Sequence, residues 1–288
     1  MKKITKVLMA AVAVSTLCFA GCKNANDLLG EEFIDYTTKT NKETGAEATA
    51  SIDYTNEESS FKRGIRLLDG NKKAFAVNVI MEDVSSNPGF MSVIFNKTVN
   101  DDKTVNFISL GYRADGNAKL ACTYYRNVST SDFEESDFGK EDIEEDSLGD
   151  DIQELIALWK DSGISAKDGK LTVGFVITAK KGDTPYEIRV YGNKTASELD
   201  KIADAINTDT TDDDGVIGNP YIFKIKNSDL DREADADTII EGGIGFYANV
   251  YGNRTLKGEW QVADISHNPD GIIWEDEIPN TLNIQLAE

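Results

Sequence analysis

The run Lys73-Ala-Phe-Ala-Val-Asn-Val-Ile-Met81 decides the fold class. Phe75, Val77 and Val79 fall on every second position, the period at which side chains share one face of a β-strand. Working outward, Phe90–Phe95, Val105–Tyr112 and Lys119–Tyr125 follow at the spacing of a meandering antiparallel sheet. Asp115-Gly116-Asn117 is a tight-turn signal between the last two. The second half repeats the theme in Lys170–Thr178, Tyr186–Tyr191, Tyr221–Ile225, Gly243–Tyr251, Glu259–Ile265 and Thr281–Leu286. Two segments read instead with helical period. Asp150–Lys160 aligns Ile152, Leu155, Ile156 and Trp159, with acids at its start. Thr195–Ile206 aligns Leu199, Ile202, Ala203 and Ile206 behind a capping signal at Thr195 or Ser197. Runs of strands with one or two short helical insertions predict an all-β sandwich, because no regular strand–helix alternation is present.

The first residues belong to a different regime. Lys2, Lys3 and Lys6 precede an apolar core, Val7–Val14, that is too short to span a bilayer, and polar Ser15 and Thr16 follow. The stretch Leu17-Cys18-Phe19-Ala20-Gly21-Cys22 then resembles the lipobox of bacterial lipoproteins, in which small residues precede the cysteine to be acylated. The resemblance implies a signal peptide over 1–21, a lipid on Cys22, and a cell-envelope location on an outer membrane or cell surface. Several acyl chains, at about 0.8 kcal/mol per buried methylene, hold a protein on a membrane durably. Phe19 departs from the usual Leu. A second reading therefore stands beside the first: cleavage after Ala20 at Cys18-Phe19-Ala20, releasing a soluble secreted protein.

Residues 22–50 are polar and poorly periodic, and read as a tether. The sandwich domain is assigned to 51–288, long enough to bury one core. Across the chain 51 acids face 30 basic residues, a formal charge of −21. Loss of residues 1–21 removes three lysines and no acid, which takes the charge to −24. Nucleic acid is excluded as a partner, since its phosphates require Lys and Arg. The same charge favours a dispersed monomer. With Cys22 acylated and Cys18 removed, Cys122 has no disulfide partner, and in Leu-Ala-Cys-Thr-Tyr-Tyr it reads as a small buried strand residue.

Val190-Tyr-Gly-Asn-Lys-Thr195 is echoed by Val250-Tyr-Gly-Asn-Arg-Thr255. Gly-Asn tolerates the positive φ of a turn. One reading is two strand ends closed by the same turn chemistry. The other sets Tyr191 and Tyr251 side by side as a stacking platform, with Asn193 and Asn253 beside them to fix hydroxyls.

Phe75–Met81, the strand ending in Phe95, Leu110-Gly-Tyr112, Tyr186-Glu-Ile-Arg-Val-Tyr-Gly192, Gly242-Gly-Ile-Gly-Phe-Tyr247 and Trp260-Gln-Val-Ala-Asp-Ile265 occur in that order. The series resembles the concanavalin A-like lectin and glucanase sandwich, including laminin-G-type domains, over about residues 55–288. The resemblance implies a jelly roll of two packed antiparallel sheets whose concave face often binds sugars. Fold by itself assigns no function.

Catalytic motifs are sparse. His267 is the sole histidine and sits in a turn-like Ile265-Ser-His-Asn-Pro269. The Glu-x-Asp-x-x-Glu motif of some glucanases, which sets two carboxylates close together, does not occur. Three acidic tracts are either solvated loops or calcium ligands: Asp132–Asp151, Asn207–Gly215 and Asp229–Asp237. Within the second, Asp212 and Asp214 are the preferred metal ligands, although Tyr221 occupies the position where an EF-hand would close with Glu. Strand aromatics offer the other site chemistry, with Tyr191, Tyr251 and Trp260 as candidate sugar contacts.

The sequence thus leads to a lipid-anchored envelope protein that binds a glycan, or a host or envelope partner, without catalysis. A glycoside hydrolase of the same fold and a structural or antigenic coat lipoprotein are the alternatives.

Overall fold

The computed structural model describes residues 34–37, 41–57, 62–68, 74–82, 84, 87–99, 105–128, 152–179, 182–207, 220–230, 244–262 and 272–273. Fourteen strands and one α-helix form among them: β1 Ile34–Thr37, β2 Ala48–Asn56, β3 Lys62–Leu68, β4 Ala74–Glu82, β5 Gly89–Val99, β6 Val105–Asp115, β7 Asn117–Val128, β8 Ile152–Ser165, β9 Lys170–Ala179, β10 Tyr186–Gly192, α1 Ala196–Asn207, β11 Tyr221–Ile225, β12 Ile244–Val250, β13 Arg254–Val262 and β14 Ile272–Ile273. Sheet A runs β1-β2-β13-β4-β9-β10-β11 and sheet B runs β14-β3-β12-β5-β6-β7-β8. Every pairing is antiparallel. The chain crosses repeatedly between the sheets, so strands far apart in sequence become neighbours, as in a jelly roll. The all-β sandwich with a helical insertion is therefore the architecture that forms.

Period-2 patterning accounts for the core. Phe75, Val77, Val79 and Met81 of β4 lie beside Leu171, Val173, Phe175 and Ile177 of β9. They pack against Met91, Val93 and Phe95 of β5 and Ile108, Leu110 and Tyr112 of β6. Buried polar atoms pin one layer to the other. The Tyr112 hydroxyl of sheet B is shared between the carbonyls of Val79 (3.0 Å) and Leu171 (2.6 Å) in sheet A. The Tyr186 hydroxyl of sheet A donates to Asn96 Oδ1 of sheet B at 2.7 Å. Each bond satisfies a donor that burial would otherwise penalise.

The helix α1 covers the outer face of sheet A. Thr195 caps it: the Glu198 N–H donates to Thr195 Oγ1 (3.2 Å), and the Thr195 N–H returns to Glu198 Oε2 (2.8 Å). Leu199, Ile202, Ala203 and Ile206 pack onto Ala74, Ala76, Val176 and Tyr191. Burying each large aliphatic side chain contributes about 1.5–3 kcal/mol. The close approach needs Gly174, where a Cβ would lie 2.6 Å from Leu199 Cδ1.

Two expectations are corrected. The helix expected over Asp150–Lys160 is the strand β8. Ile152–Ser165 lies opposite only Asn117–Tyr125, and register shifts beside Lys119, Leu120 and Cys122 absorb the excess residues. Bulges break the period of two, so apolar spacings of three and four mimic a helix. The tether boundary also falls too late. Ile34–Thr37 pairs with Thr49–Ile52, and β2 begins at Ala48, so part of 22–50 belongs to sheet A. The small residues Ala46 and Ala50 are fully buried there without the bulk that marks a strand in sequence. Cys22 and the signal segment lie outside the described residues, as does Thr281–Leu286.

Candidate functional site

The outer face of sheet B carries the most organised chemistry among the described residues. Register places Asn249, Phe90, Arg113, Lys119 and Asp161 in one row across β12, β5, β6, β7 and β8. The next row holds Tyr247, Ser92, Gly111 and Ala121, and the one beyond it Ile94, Ser109 and Thr123. Phe107 and Tyr125 follow, stacked at 4.8 Å between centroids. The middle rows are thus a floor of small side chains between aromatic walls. Ser109 Oγ donates to Ser92 Oγ at 3.2 Å on that floor. Floor and walls are buried, whereas the charged end of the first row is not: the Asp161 side chain is 49 % exposed.

Trp159 stands at this open end. It adopts φ +62°, rare for a bulky side chain and costing roughly 1–2 kcal/mol. The bulges of β8 create that geometry. Its ring lies edge-on to Phe90, with centroids 5.5 Å apart, and the Arg113 guanidinium sits 4.4 Å from its centroid. Cation–π attraction of about 0.5–2 kcal/mol offsets the backbone strain. The indole N–H is buried and has no hydrogen-bond partner among the described residues. Backbone strain of this kind persists where the surrounding contacts over-determine it.

Asp161 anchors the polar end of the row. Lys119 Nζ lies 2.8 Å from its carboxylate, the Gly163 N–H donates to it at 2.8 Å, and Asn117 Nδ2 lies 3.3 Å away. The Lys119 bond first, then the Gly163 bond, holds its pKa down at about 2. At neutral pH this carboxylate is a fixed acceptor. It carries no proton to give.

The residues selected from sequence go elsewhere. Tyr191 is buried beneath α1 on the outer face of sheet A. Burial raises its phenol pKa above the ordinary value. Tyr251 follows β12 in sheet B and is also buried. Both turns do lie at one end of the sandwich, and Asn193 (φ +53°) and Asn253 (φ +58°) take the left-handed turn conformation. Three strand spacings, about 14 Å, separate β10 from β13. The echo is therefore shared turn chemistry and not a paired platform. Trp260 is enclosed between the sheets, its Nε1–H bonded to the Ser92 carbonyl at 2.9 Å, so it is a core residue and not a sugar contact. Asp212 and Asp214 lie outside the described residues, as do Asp132–Asp151 and His267. Among the described residues no group of three or more His, Cys, Asp or Glu is assembled to hold a metal.

Sequence reasoning missed Trp159, Arg113, Lys119 and Asp161. A helical reading hid the first. The turn-forming Asp161-Ser162-Gly163 immediately after it was the available signal, since such residues suit an irregular strand better than a helix end.

No protein-family model matches the sequence, and no curated protein matches it. Solved structures similar to the chain include the lectin UEA-II complexed with galactose: 10 % identity, TM-score 0.34, over 80 % of this chain and 91 % of that one. A Bacillus licheniformis β-glucanase is 9 % identical, with TM-score 0.32 over 81 % of this chain and 98 % of that one. A scytalido-glutamic peptidase with a peptide-based transition-state analog is 8 % identical, with TM-score 0.25 over 69 % of this chain. The chain spans 65 % of that peptidase's length. Identities and scores this low leave ligand, reaction and residue roles unassigned.

Proposed function

We propose that the protein is a lipid-anchored cell-envelope lipoprotein whose sandwich binds a glycan, without catalysis, at the Trp159 end of sheet B. One observation carries this reading: a half-buried indole, braced by Arg113 and Phe90, stands two residues before Asp161, whose carboxylate is held by Lys119 and Asn117. Sugar rings present C–H faces that pack on an indole, and hydroxyls at their edges that pair with charged donors and acceptors. Ligand sites generally combine aromatic walls with a few convergent polar groups. Ionised Asp161 is an acceptor there and not the protonated acid that glycoside hydrolysis needs. The anchor at Cys22 is part of the proposal and rests on the lipobox-like sequence. Asp212 and Asp214 remain the proposed calcium ligands.

A glycan array with the Trp159→Gly variant tests the site, because glycine accepts φ +62° and preserves the backbone. Specific binding lost in that variant is expected. Absence of binding by the unaltered protein, or binding indifferent to the substitution, overturns the glycan reading. Retention of binding in the presence of a chelator overturns a role for calcium there. Intact mass of the membrane fraction tests the anchor: acyl mass on a chain starting at Cys22 supports it, and a chain starting at Gly21 refutes it.

A further inference from the structure

The strand β11 ends sheet A, pairing with β10 on one side and with no described strand on the other. In an edge strand alternate residues direct N–H and C=O groups outward, where an added strand can bond to them. Ile222 of β11 is the one large hydrophobic residue that is exposed among those described, at 48 %. Natural edges usually avoid such a residue. Tyr221 and Phe223 on the alternate face are half-buried and pack at the margin of the core, 6.1 Å apart. The edge therefore offers backbone bonds, an apolar contact and two aromatic rings.

Its charge opposes that of the rest of the molecule. Lys224 and Lys226 are exposed on and just beyond β11, and Lys160 of β8 reaches over the Tyr221 ring at 5.1 Å. Among the described residues the neighbouring acids are engaged or displaced. Glu187 is buried and bonded to Arg189 at 3.0 Å, with Lys224 Nζ at 3.7 Å. Asp229 accepts the Lys226 N–H at 2.7 Å. Asp183 is exposed beyond the strand's end, beside Asn227. Three lysines on one edge of a chain of charge −21 form a local basic strip.

We propose that β11 is a docking edge for an extended acidic peptide of another protein, which adds as an eighth strand to sheet A. Backbone bonding of this kind gives affinity, and alternate side chains give specificity. Acidic side chains on one face of the incoming strand meet Lys224 and Lys226, which share the face of Ile222, while its apolar side chains on the other face meet Tyr221 and Phe223. A second copy of this chain is disfavoured at the same edge, because its own lysines would face these and both molecules carry a large negative charge.

Fluorescence anisotropy of the full chain with labelled Val-Glu-Val-Glu-Val-Glu tests the proposal directly. Saturable binding is expected, weakened about tenfold or more by the Lys224→Glu/Lys226→Glu pair and by raised salt. The lysine peptide Val-Lys-Val-Lys-Val-Lys should not bind, and proline in the central position of the acidic peptide should abolish binding by removing a donor. Because Lys224 lies against the buried Glu187, the Lys226→Glu single variant, which leaves that pair intact, serves as the folding control: near-unchanged melting and weakened binding are expected of it. Equal binding by the charge-reversed variant, no binding by the unaltered chain, or a self-association lost in Ile222→Glu would each overturn it. The glycan site lies on sheet B, so failure there leaves this test unaffected.

Discussion

The indole N–H of Trp260 in sheet A crosses the core and donates to the backbone carbonyl of Ser92 in sheet B at 2.9 Å, with both residues fully buried. The ring also packs on Phe246 at 5.7 Å between centroids. A side chain of β13 thereby grips the backbone under the floor of the candidate site. Trp260→Phe removes the donor and some volume and should cost about 1–3 kcal/mol. Trp260→Ala should cost about 3–5 kcal/mol through the cavity as well. Urea unfolding of both variants provides the measurement, and a Trp260→Phe midpoint matching the unaltered protein would show the bond to be energetically idle.

Gly111 lies at the centre of that floor. A Cβ there would sit 2.2 Å from the Met91 carbonyl oxygen and 2.6 Å from Ser92 Cα, both backbone atoms that cannot swing aside. Gly111→Ala should therefore destabilise by about 3 kcal/mol or more. Gly116, at φ +70° in the β6–β7 turn, has nothing among the described residues within 4 Å of its notional Cβ. Gly116→Ala should cost only about 1–2 kcal/mol, the left-handed strain alone. Thermal melting that ranks the two in the opposite order would refute the close approach at Gly111.

Asp161 supplies a pH signature. Its pKa is depressed to about 2, chiefly by the Lys119 bond, so the ion pair contributes above the ordinary carboxylate pKa of about 4. That contribution disappears as pH falls through about 2. A carboxyl-carbon NMR titration should place the Asp161 midpoint there. Lys119→Met should raise the midpoint toward the ordinary value, and a midpoint unmoved by that change would mean Lys119 is not the cause.

Cys122 faces the core from β7 and is fully buried, which pushes its thiol pKa well above the ordinary value. The thiolate is the reactive form, so alkylation should be negligible in the folded protein and rapid in denaturant. Iodoacetamide labelling mapped by mass spectrometry would show this. Ready native-state labelling would mean that β7 opens locally.

Much of the strand content was legible because period-2 patterning and Gly-Asn or Asp-Gly turns are local properties. Tyr221–Ile225 forms as read, and α1 differs from its expected bounds by one residue at each end. The strand β8 was illegible because five surplus residues, set by its pairing with β7, disrupt the period. The site was lost with it: Trp159 reads as one more apolar residue on a helix face until the bulge turns it to φ +62° beside Arg113. Tyr191 and Tyr251 share a motif, yet one is roofed by α1 and the other lies beyond β12 of the opposite sheet.

By itself the sequence determined the all-β class, a helix capped at Thr195 or Ser197 and the turns at Gly116, Asn193 and Asn253, since each depends on residues within a few positions. Only the tertiary structure decided that β13 would lie between β2 and β4, that Trp260 would enter the core, and that Trp159 would meet Arg113. Alternation says that a strand has two faces. Which face is buried, and against what, depends on contacts with strands that can lie more than a hundred residues away.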